Sequence, residues 1–592
     1  MQLIKGPFHE IIEKNTVMAN LLLLVPPYIA FDSFKSPLFT ERNNSIYTDM
    51  PLGAISIAAY VKHYSASDVK VLDFNPLLYS YDAEDMDSYG QLFEIVLKEC
   101  IAEFKPDAIG ISILFTASYH SAIELAEISK KLLPEAFLFA GGGVPTSMYS
   151  YMLRHETPFD ALSYGEGERP ICELMQSDDY YHFASIHKSW IIKNNLNEQG
   201  YQPEHDWIID LDEIPTYDYD QLNLDNYAIA PVCSGFTSHN ETKVIFNMAT
   251  SRGCPYKCTF CASHDVHGRT MRYHSLDRMY SDIRMLKDKY SCQRIAIQDD
   301  HFMGDHKRAK AIIRFIKDMD IQVFFQSGVT MFSLTRDMLE LMVESGINEI
   351  VLPIESGSES IAKHVMKKGH VSKKIINRVV ADCRDLGIQM DGNILCGMPG
   401  ETESDIKEGV EYLKTLDVNW YRIHVATPLP GSELFEECID NGYIDEHEHI
   451  GGDYKRARIT TPDFSPDYIE KRAYEMNLEL NFVHNADYRL GLFDKAFNAF
   501  QNVINITNEH AFAYYFAAKC LFKLHQYTKY NEYAYEYNRI ASENNYWIDH
   551  IRRFNLPRSL QLSTERQDSL ASSDIKLKEP VSGLLTQIST PL

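Results

Sequence analysis

The chain has 592 residues, 45% of them hydrophobic and 24% charged, with 57 Lys and Arg against 83 Asp and Glu for a net charge of −26. That length predicts two to four domains, each with its own core, and that charge argues against a sequence-independent nucleic-acid binder, which needs a basic surface to neutralise phosphates. No apolar run approaches the eighteen or so residues of a membrane span. Leu21–Val25 is too short for one, and Met1–Ala19 carries acidic residues without a small-residue cleavage site, against a signal peptide. Three of the 11 cysteines form a triplet, and the others, Cys100, Cys172, Cys233, Cys292, Cys383, Cys396, Cys438 and Cys520, are scattered without paired spacing. That usage predicts a reducing, cytoplasmic setting and no disulfide framework.

Over about residues 19–175, short β-rich apolar runs alternate with helical patterns, which predicts βαβ units and a doubly wound, Rossmann-like parallel sheet. Strands are expected at Asn20–Val25, Val69–Asp73, Ala108–Ser112, Phe137–Gly141 and Ala161–Tyr164, with helices at Leu52–His63, Gln91–Phe104, Ser118–Leu133, Thr146–Arg154 and Glu168–Met175. Ligands of such sheets bind at the carboxyl ends of the strands. Those ends carry Asp73-Phe-Asn75, Ser112, Gly141-Gly142-Gly143 and Gly165-Glu166-Gly167-Glu168. Glycines there let backbone approach a large flat or phosphate-bearing ligand, although each taken alone also reads as a turn or cap glycine.

Residues 176–242 read as a polar, aromatic linker. It contains Leu211-Asp-Glu-Ile-Pro215, whose proline favours an extended connector. No chemistry is assigned to it.

The centre of the chain is Ser251-Arg-Gly-Cys254-Pro-Tyr-Lys-Cys258-Thr-Phe-Cys261. Thiolates are preferred ligands of iron–sulfur clusters and zinc. A closed structural zinc site takes four protein ligands, so zinc would need His264 or His267 beside the three cysteines. Three thiolates instead suit three irons of a four-iron cluster and leave the fourth open. Around the triplet, residues 243–450 alternate strand and helix patterns, with strands expected at Lys243–Ala249, Arg294–Gln298, Gln322–Gly328, Glu349–Ile354, Gln389–Gly397 and Trp420–Thr427.

The C-x3-C-x2-C spacing, with Phe260 before its third cysteine, resembles the signature of the radical S-adenosylmethionine (SAM) superfamily. The resemblance covers roughly residues 19–450 and implies a partial (β/α)6 barrel of the TIM type with its site at the carboxyl ends of the strands. It implies a metal site at Cys254, Cys258 and Cys261. It also implies SAM contacts at Phe260, at Asp299 or Asp300 in Gln298-Asp299-Asp300-His301, at Glu355 and Ser356 in Glu355-Ser356-Gly357-Ser358, and at Gly397 and Glu401 in Gly397-Met-Pro-Gly400-Glu401-Thr402. Pro428-Leu-Pro430-Gly431-Ser432 and Arg272 occupy positions similar to those of relatives. Taken singly, Glu401-Thr402 and Asp299-Asp300 also read as helix-cap residues.

The first domain resembles the cobalamin-binding domain that precedes many radical SAM enzymes, which implies cofactor contacts at Asp73, Asn75, Ser112, Gly141, Gly142, Gly143, Gly165 and Glu166. It departs from the family's Asp-x-His-x-x-Gly pattern, having Asn75 for the histidine and Leu78 for the glycine. The lower cobalt ligand is therefore open, and a degenerate domain without cofactor is the alternative.

The implied chemistry begins when a reduced cluster gives an electron to SAM. Homolysis then yields a 5′-deoxyadenosyl radical that takes a hydrogen atom from an unactivated carbon, and methylcobalamin supplies the methyl group. The implied partners are a small-molecule or peptide substrate and a flavodoxin- or ferredoxin-type electron donor. The expected activity is C-methylation. A cyclase or rearrangement enzyme with the same cofactors is the alternative, and a non-catalytic cluster-bearing scaffold is a third reading.

Residues 466–555 read as helical. Tyr488, Phe493 and Lys495 recur 34 positions later as Phe522, Tyr527 and Lys529, the tetratricopeptide period. These helices are either a dock for a peptide or carrier protein or a helical cap. Residues 556–592 show little periodicity and are expected to lack order.

Overall fold

A computed structural model describes residues 18–35, 49–81, 86–155, 157–198, 200–227, 244–325, 329–452 and 456–564. Its first sheet has the order β2-β1-β3-β4-β5-β6. Strands β1 (Asn20–Val25), β2 (Asp68–Asp73), β3 (Ala108–Ser112), β4 (Phe137–Gly141) and β5 (Ala161–Ser163) are parallel. In β1, Leu21, Leu23 and Val25 enter one core and Leu22 and Leu24 another. Both faces are covered by helices, which is why the strand reads as an unbroken apolar run. Helices 52–64 and 168–175 lie on one face, and 89–104, 119–132 and 143–154 on the other. The strand order reverses between β1 and β3, where such sheets open a ligand crevice.

The expected connector contributes more than a tether. Its Trp190–Ile191 forms β6, antiparallel beside β5. Two residues are too few to show a period, so the sequence does not reveal this strand. Leu211, Ile214 and Tyr219 of the same stretch are buried in the core that also holds Phe246 and Ile295 of the next domain. The two domains share that core.

The barrel half is built from β7 (Phe246–Met248), β10 (Arg294–Ile297), β11 (Gln322–Phe325), β12 (Glu349–Glu355), β13 (Gln389–Cys396) and β14 (Trp420–Val425), in two parallel ladders, β11-β10-β7 and β12-β13-β14. Lys243 and residues 326–328 of the expected strands lie outside the described residues, as does Cys233. A short antiparallel pair, β8 (Ser251–Arg252) with β9 (Arg272–Tyr273), brackets the cysteine loop.

An incomplete barrel leaves an open strand edge, an exposed pairing template that proteins cover. Here Asn481 covers part of it: its Oδ1 accepts from the Tyr421 amide (2.7 Å) and its Nδ2 donates to the Tyr421 carbonyl (2.8 Å). The helices beyond, 493–506, 511–523, 527–543 and 545–553, have their own core. Phe493 and Tyr527, the 34-residue pair, each open a helix. Tyr488 meets Phe493 edge-on at 5.5 Å, and Phe522 meets Tyr527 likewise at 5.7 Å.

The expectation of disorder from residue 556 is corrected over 556–564. Tyr530 Oη donates to the Gln561 carbonyl (2.7 Å), and Asn531 and Asn538 bond the backbone of Ser563 and Leu560. The segment is held by its main chain, which leaves no side-chain period in the sequence. Residues 565–592 lie outside the described residues. No helix among the described residues is long and apolar enough to cross a membrane.

Candidate active site

The cysteine loop is anchored at Gly253 and at Thr259, and between them Tyr256 stacks on His370 at 4.1 Å. Gly253 sits at φ +89°, and a Cβ there would stand 2.5 Å from the Thr270 carbonyl oxygen, so only glycine fits. Next to it the Cys254 amide donates to the Gly268 carbonyl (3.2 Å). Thr259 is the second anchor. Its amide donates to Met366 O (3.2 Å), its hydroxyl to Val365 O (2.9 Å), and its carbonyl accepts from the Leu434 amide (2.8 Å). Cys254, Cys258 and Cys261 are half-buried; the Cys261 thiol makes a weak contact with Ser263 (3.4 Å) and the Cys254 sulfur a bond with the Tyr256 backbone. Burial, with a smaller push from the other thiols and Asp300, drives the Cys254 thiol up to about 11. Burial also raises Cys258, against the pull of the Lys368 ammonium. Such thiols ionise when a metal centre supplies the missing positive charge. The Phe260 ring lies 5.9 Å from that ammonium.

The two candidate aspartates after β10 separate cleanly. Asp299 accepts from the Thr250 amide (2.6 Å), the Thr250 hydroxyl (2.7 Å) and the Ser251 hydroxyl. Arg308 ties down the same Thr250 through its hydroxyl and carbonyl. Asp299 is 3% exposed and braces the strand end before the cysteines. Asp300 is half-buried, in the electrostatic field of Cys254.

Glu355, at φ +63°, accepts from Lys368 Nζ (2.8 Å) and Asn393 Nδ2 (3.2 Å), so part of its carboxylate is already committed. Ser356 Oγ caps the Ser358 amide (3.1 Å). Glu401 Oε2 accepts from the Gly397 (2.7 Å) and Met398 (3.3 Å) amides and closes the turn after β13. Burial pushes Glu401 up to about 7, more than those two bonds pull it down.

In the first domain three of the expected contact residues have partners within the protein. Asn75 is fully buried: Tyr28 N donates to its Oδ1 (2.8 Å), and its Nδ2 donates to Pro26 O (3.1 Å) and Asp73 Oδ1 (2.8 Å). Asp73 also accepts from the Asn75 amide (2.9 Å) and from Tyr227 Oη (2.7 Å). Both side chains are buried and hydrogen-bonded inside the protein. Glu166 is spent on the barrel. Arg272 donates to its two oxygens (2.5 and 2.9 Å), Arg252 lies 3.1 Å away, and His267 Nδ1 is at 2.9 Å. Burial alone would raise this carboxyl, but the Arg252 and Arg272 guanidiniums outweigh it and hold it well below the usual carboxylate range. Glu168 pairs with Arg252 and accepts from Ser56 Oγ (2.6 Å).

What remains at the strand ends is backbone and apolar surface. Ser112 pairs with Gly141 in register. Gly142 has φ +107°, and a Cβ there would lie 2.9 Å from the Ile113 carbonyl. Gly143 begins helix 143–154, and the Gly165 amide donates to Thr146 Oγ1 (3.0 Å). Leu114 and Phe115 are 49% and 42% exposed beside them. That is a surface for a flat ligand rather than for a charge.

Sequence reasoning did not weigh Arg252, although it stands inside the cysteine motif, two residues before Cys254. Tyr227 and Lys368 carried no local signal.

Comparison with known proteins agrees with this layout. Residues 44–175 match a B12 binding domain and residues 248–413 match the Radical SAM superfamily. The chain is 26% identical over 472 residues, 74% of this chain and 87% of the relative, to cytidylyl-2-hydroxyethylphosphonate methyltransferase of Streptomyces wedmorensis. It is 24% identical over 417 residues, 69% of each chain, to the anaerobic magnesium-protoporphyrin IX monomethyl ester cyclase of Rubrivivax gelatinosus. Its fold is similar to that of the cobalamin-dependent SAM radical enzyme OxsB, with a TM-score of 0.59 at 14% identity over 91% of this chain and 76% of that one. The chain thus carries a B12-binding domain followed by a Radical SAM domain, and its cofactors are a four-iron four-sulfur cluster, SAM and cobalamin.

Proposed function

We propose that this protein is a cobalamin-dependent radical SAM C-methyltransferase acting on an unactivated carbon of a small natural product or peptide. The observation that carries the reading is the lock between the two halves. Glu166 and Glu168, at the end of β5, bind the arginines on either side of the cysteine loop, so the cobalamin crevice and the cluster loop are held in fixed register. In this reading Cys254, Cys258 and Cys261 hold the cluster. Asp300 receives the SAM ammonium, with Phe260, Glu355, Ser356, Gly397 and Glu401 shaping the rest of the SAM site. Ser112, Gly141, Gly142, Gly143 and Gly165 form the cobalamin crevice. When bound, the cofactors supply the electron, the hydrogen-abstracting radical and the methyl group. The protein's task is orientation and exclusion of water. A flavodoxin- or ferredoxin-type donor supplies the electron, and the unpaired cysteines fit a cytoplasmic setting. The net charge of −26 argues against a nucleic-acid substrate.

The test is product stoichiometry in anaerobic reconstituted protein with cobalamin and a candidate substrate. Equal S-adenosylhomocysteine and 5′-deoxyadenosine are expected. 5′-Deoxyadenosine alone is what a cyclase gives, and that result would remove methyl transfer.

A further inference from the structure

Helix 527–543 carries a repeated pair, Tyr530-Asn531 and Tyr537-Asn538. Seven residues are about two turns, so the two pairs share one face. All four side chains grip the main chain of the extended segment that follows helix 545–553. Asn538 donates through Nδ2 to the Leu560 carbonyl (2.9 Å) and accepts at Oδ1 from the Leu560 amide (2.7 Å). Asn531 treats Ser563 in the same way, at 3.0 and 2.7 Å. Between and beside these clamps, Tyr530 Oη donates to the Gln561 carbonyl (2.7 Å) and Tyr537 Oη to the Pro557 carbonyl.

A carboxamide presents a donor and an acceptor side by side, so it can satisfy both groups of one peptide residue whatever its side chain. The side chains agree. Pro557, Arg558, Ser559, Gln561 and Leu562 are exposed, whereas Leu560 packs against the cluster of Tyr530, Tyr533 and Ala534. The face reads backbone, plus one apolar residue.

We propose that this face is a docking groove for an extended peptide with a leucine-sized residue at the position of Leu560, and that the chain's own residues 557–563 occupy it as a displaceable placeholder. Main-chain recognition gives affinity without demanding sequence, the logic of strand addition at a sheet edge. The tethered segment competes at a high effective concentration. A peptide partner therefore binds well when the tail is out, and the groove is a switchable one.

The test uses the full-length chain. Leu560→Pro removes the amide that Asn538 accepts from and the side chain that fills the apolar spot. The probe is a fluorescein-labelled peptide of residues 557–564, followed by anisotropy. A second probe keeps Leu560 and has alanine in place of Arg558, Ser559, Gln561 and Leu562. The variant is expected to bind both probes at least about tenfold more tightly than the unmodified chain. Adding Asn531→Ala and Asn538→Ala should abolish the gain. Failure of the alanine probe beside binding of the first would show a sequence-specific strap, and no gain for either probe would show no exchangeable groove; each overturns the proposal. Should Leu560→Pro disturb the helices, hydrogen exchange on the unmodified chain decides. Excess unlabelled peptide must deprotect the Leu560 and Ser563 amides, and unchanged protection overturns the idea. All readouts are of binding, so none depends on methyl transfer.

Discussion

The end of β2 and the cysteine loop both present potential ligands at the carboxyl end of a strand, and they differ in what the protein has already done with them. At β2, Asp73 and Asn75 bond to one another and to Pro26, Tyr28 and Tyr227. In the cysteine loop, backbone anchors at Gly253 and Thr259 hold the chain, and the thiol contacts are weak ones, of Cys261 with Ser263 and of Cys254 with the Tyr256 backbone. A side chain whose donors and acceptors are satisfied internally resists leaving them, because each buried partner left unpaired costs about 1–3 kcal/mol. Availability, as much as residue type, separates a ligand from a brace.

The comparison breaks most decisively at the cysteines. Cys254→Ala, Cys258→Ala and Cys261→Ala should each abolish SAM cleavage and iron binding in reconstituted protein. Full activity in any one of them would mean that the loop is not the cluster site.

The next effect lies in the lock between the halves. Glu168→Gln leaves Arg252 buried beside a weakened partner set and should cost about 3–5 kcal/mol, read as a fall in the denaturation midpoint. Arg252→Gln added to it should recover part of the loss, since removing both charges leaves none uncompensated on that arm. A cost that does not change in the double variant would argue against direct pairing.

Glu401 sharpens the barrel side. Burial sets its folded value at about 7, above that of the unfolded chain. Its contribution to stability is therefore complete below the unfolded value near 4.5 and is lost as pH rises towards 7, a decline of about 3 kcal/mol. Glu401→Gln keeps an acceptor for the Gly397 amide and should flatten that decline when unfolding is compared at pH 5 and pH 8. An unchanged slope would place the titration elsewhere.

The smallest effect tests β2 itself. Asn75→Ala should cost about 1–3 kcal/mol through the orphaned Tyr28 amide and Pro26 carbonyl, and leave the visible spectrum of bound cobalamin unchanged. A changed axial-ligand band would put Asn75 back at the cobalt.

Much of the fold is legible because its strands are buried on both faces. Asn20–Val25, Ala108–Ser112 and Phe137–Gly141 fall on the apolar runs that mark them. The two-residue β6 has no period to read, and the tail over 556–564 has none because asparagine side chains hold its backbone. The choice between Asp299 and Asp300 was open in the sequence, where both are acids after one strand. The structure distinguishes them by surroundings: Thr250 and Ser251 hydrogen-bond Asp299, whereas Asp300 is half-buried near Cys254.

Composition and motif spacing by themselves determined the class of chemistry: three thiolates at C-x3-C-x2-C spacing, glycine-bearing strand ends and a long acid-rich chain without a membrane span. The tertiary structure decided which polar groups are free to act. Tyr227 reaches Asp73 across 154 residues, Arg272 reaches Glu166 across 106, and Thr250 reaches Asp299 across 49. Hydrogen-bond saturation is a property of neighbours in space, and those neighbours lie too far apart along the chain for any local pattern to record.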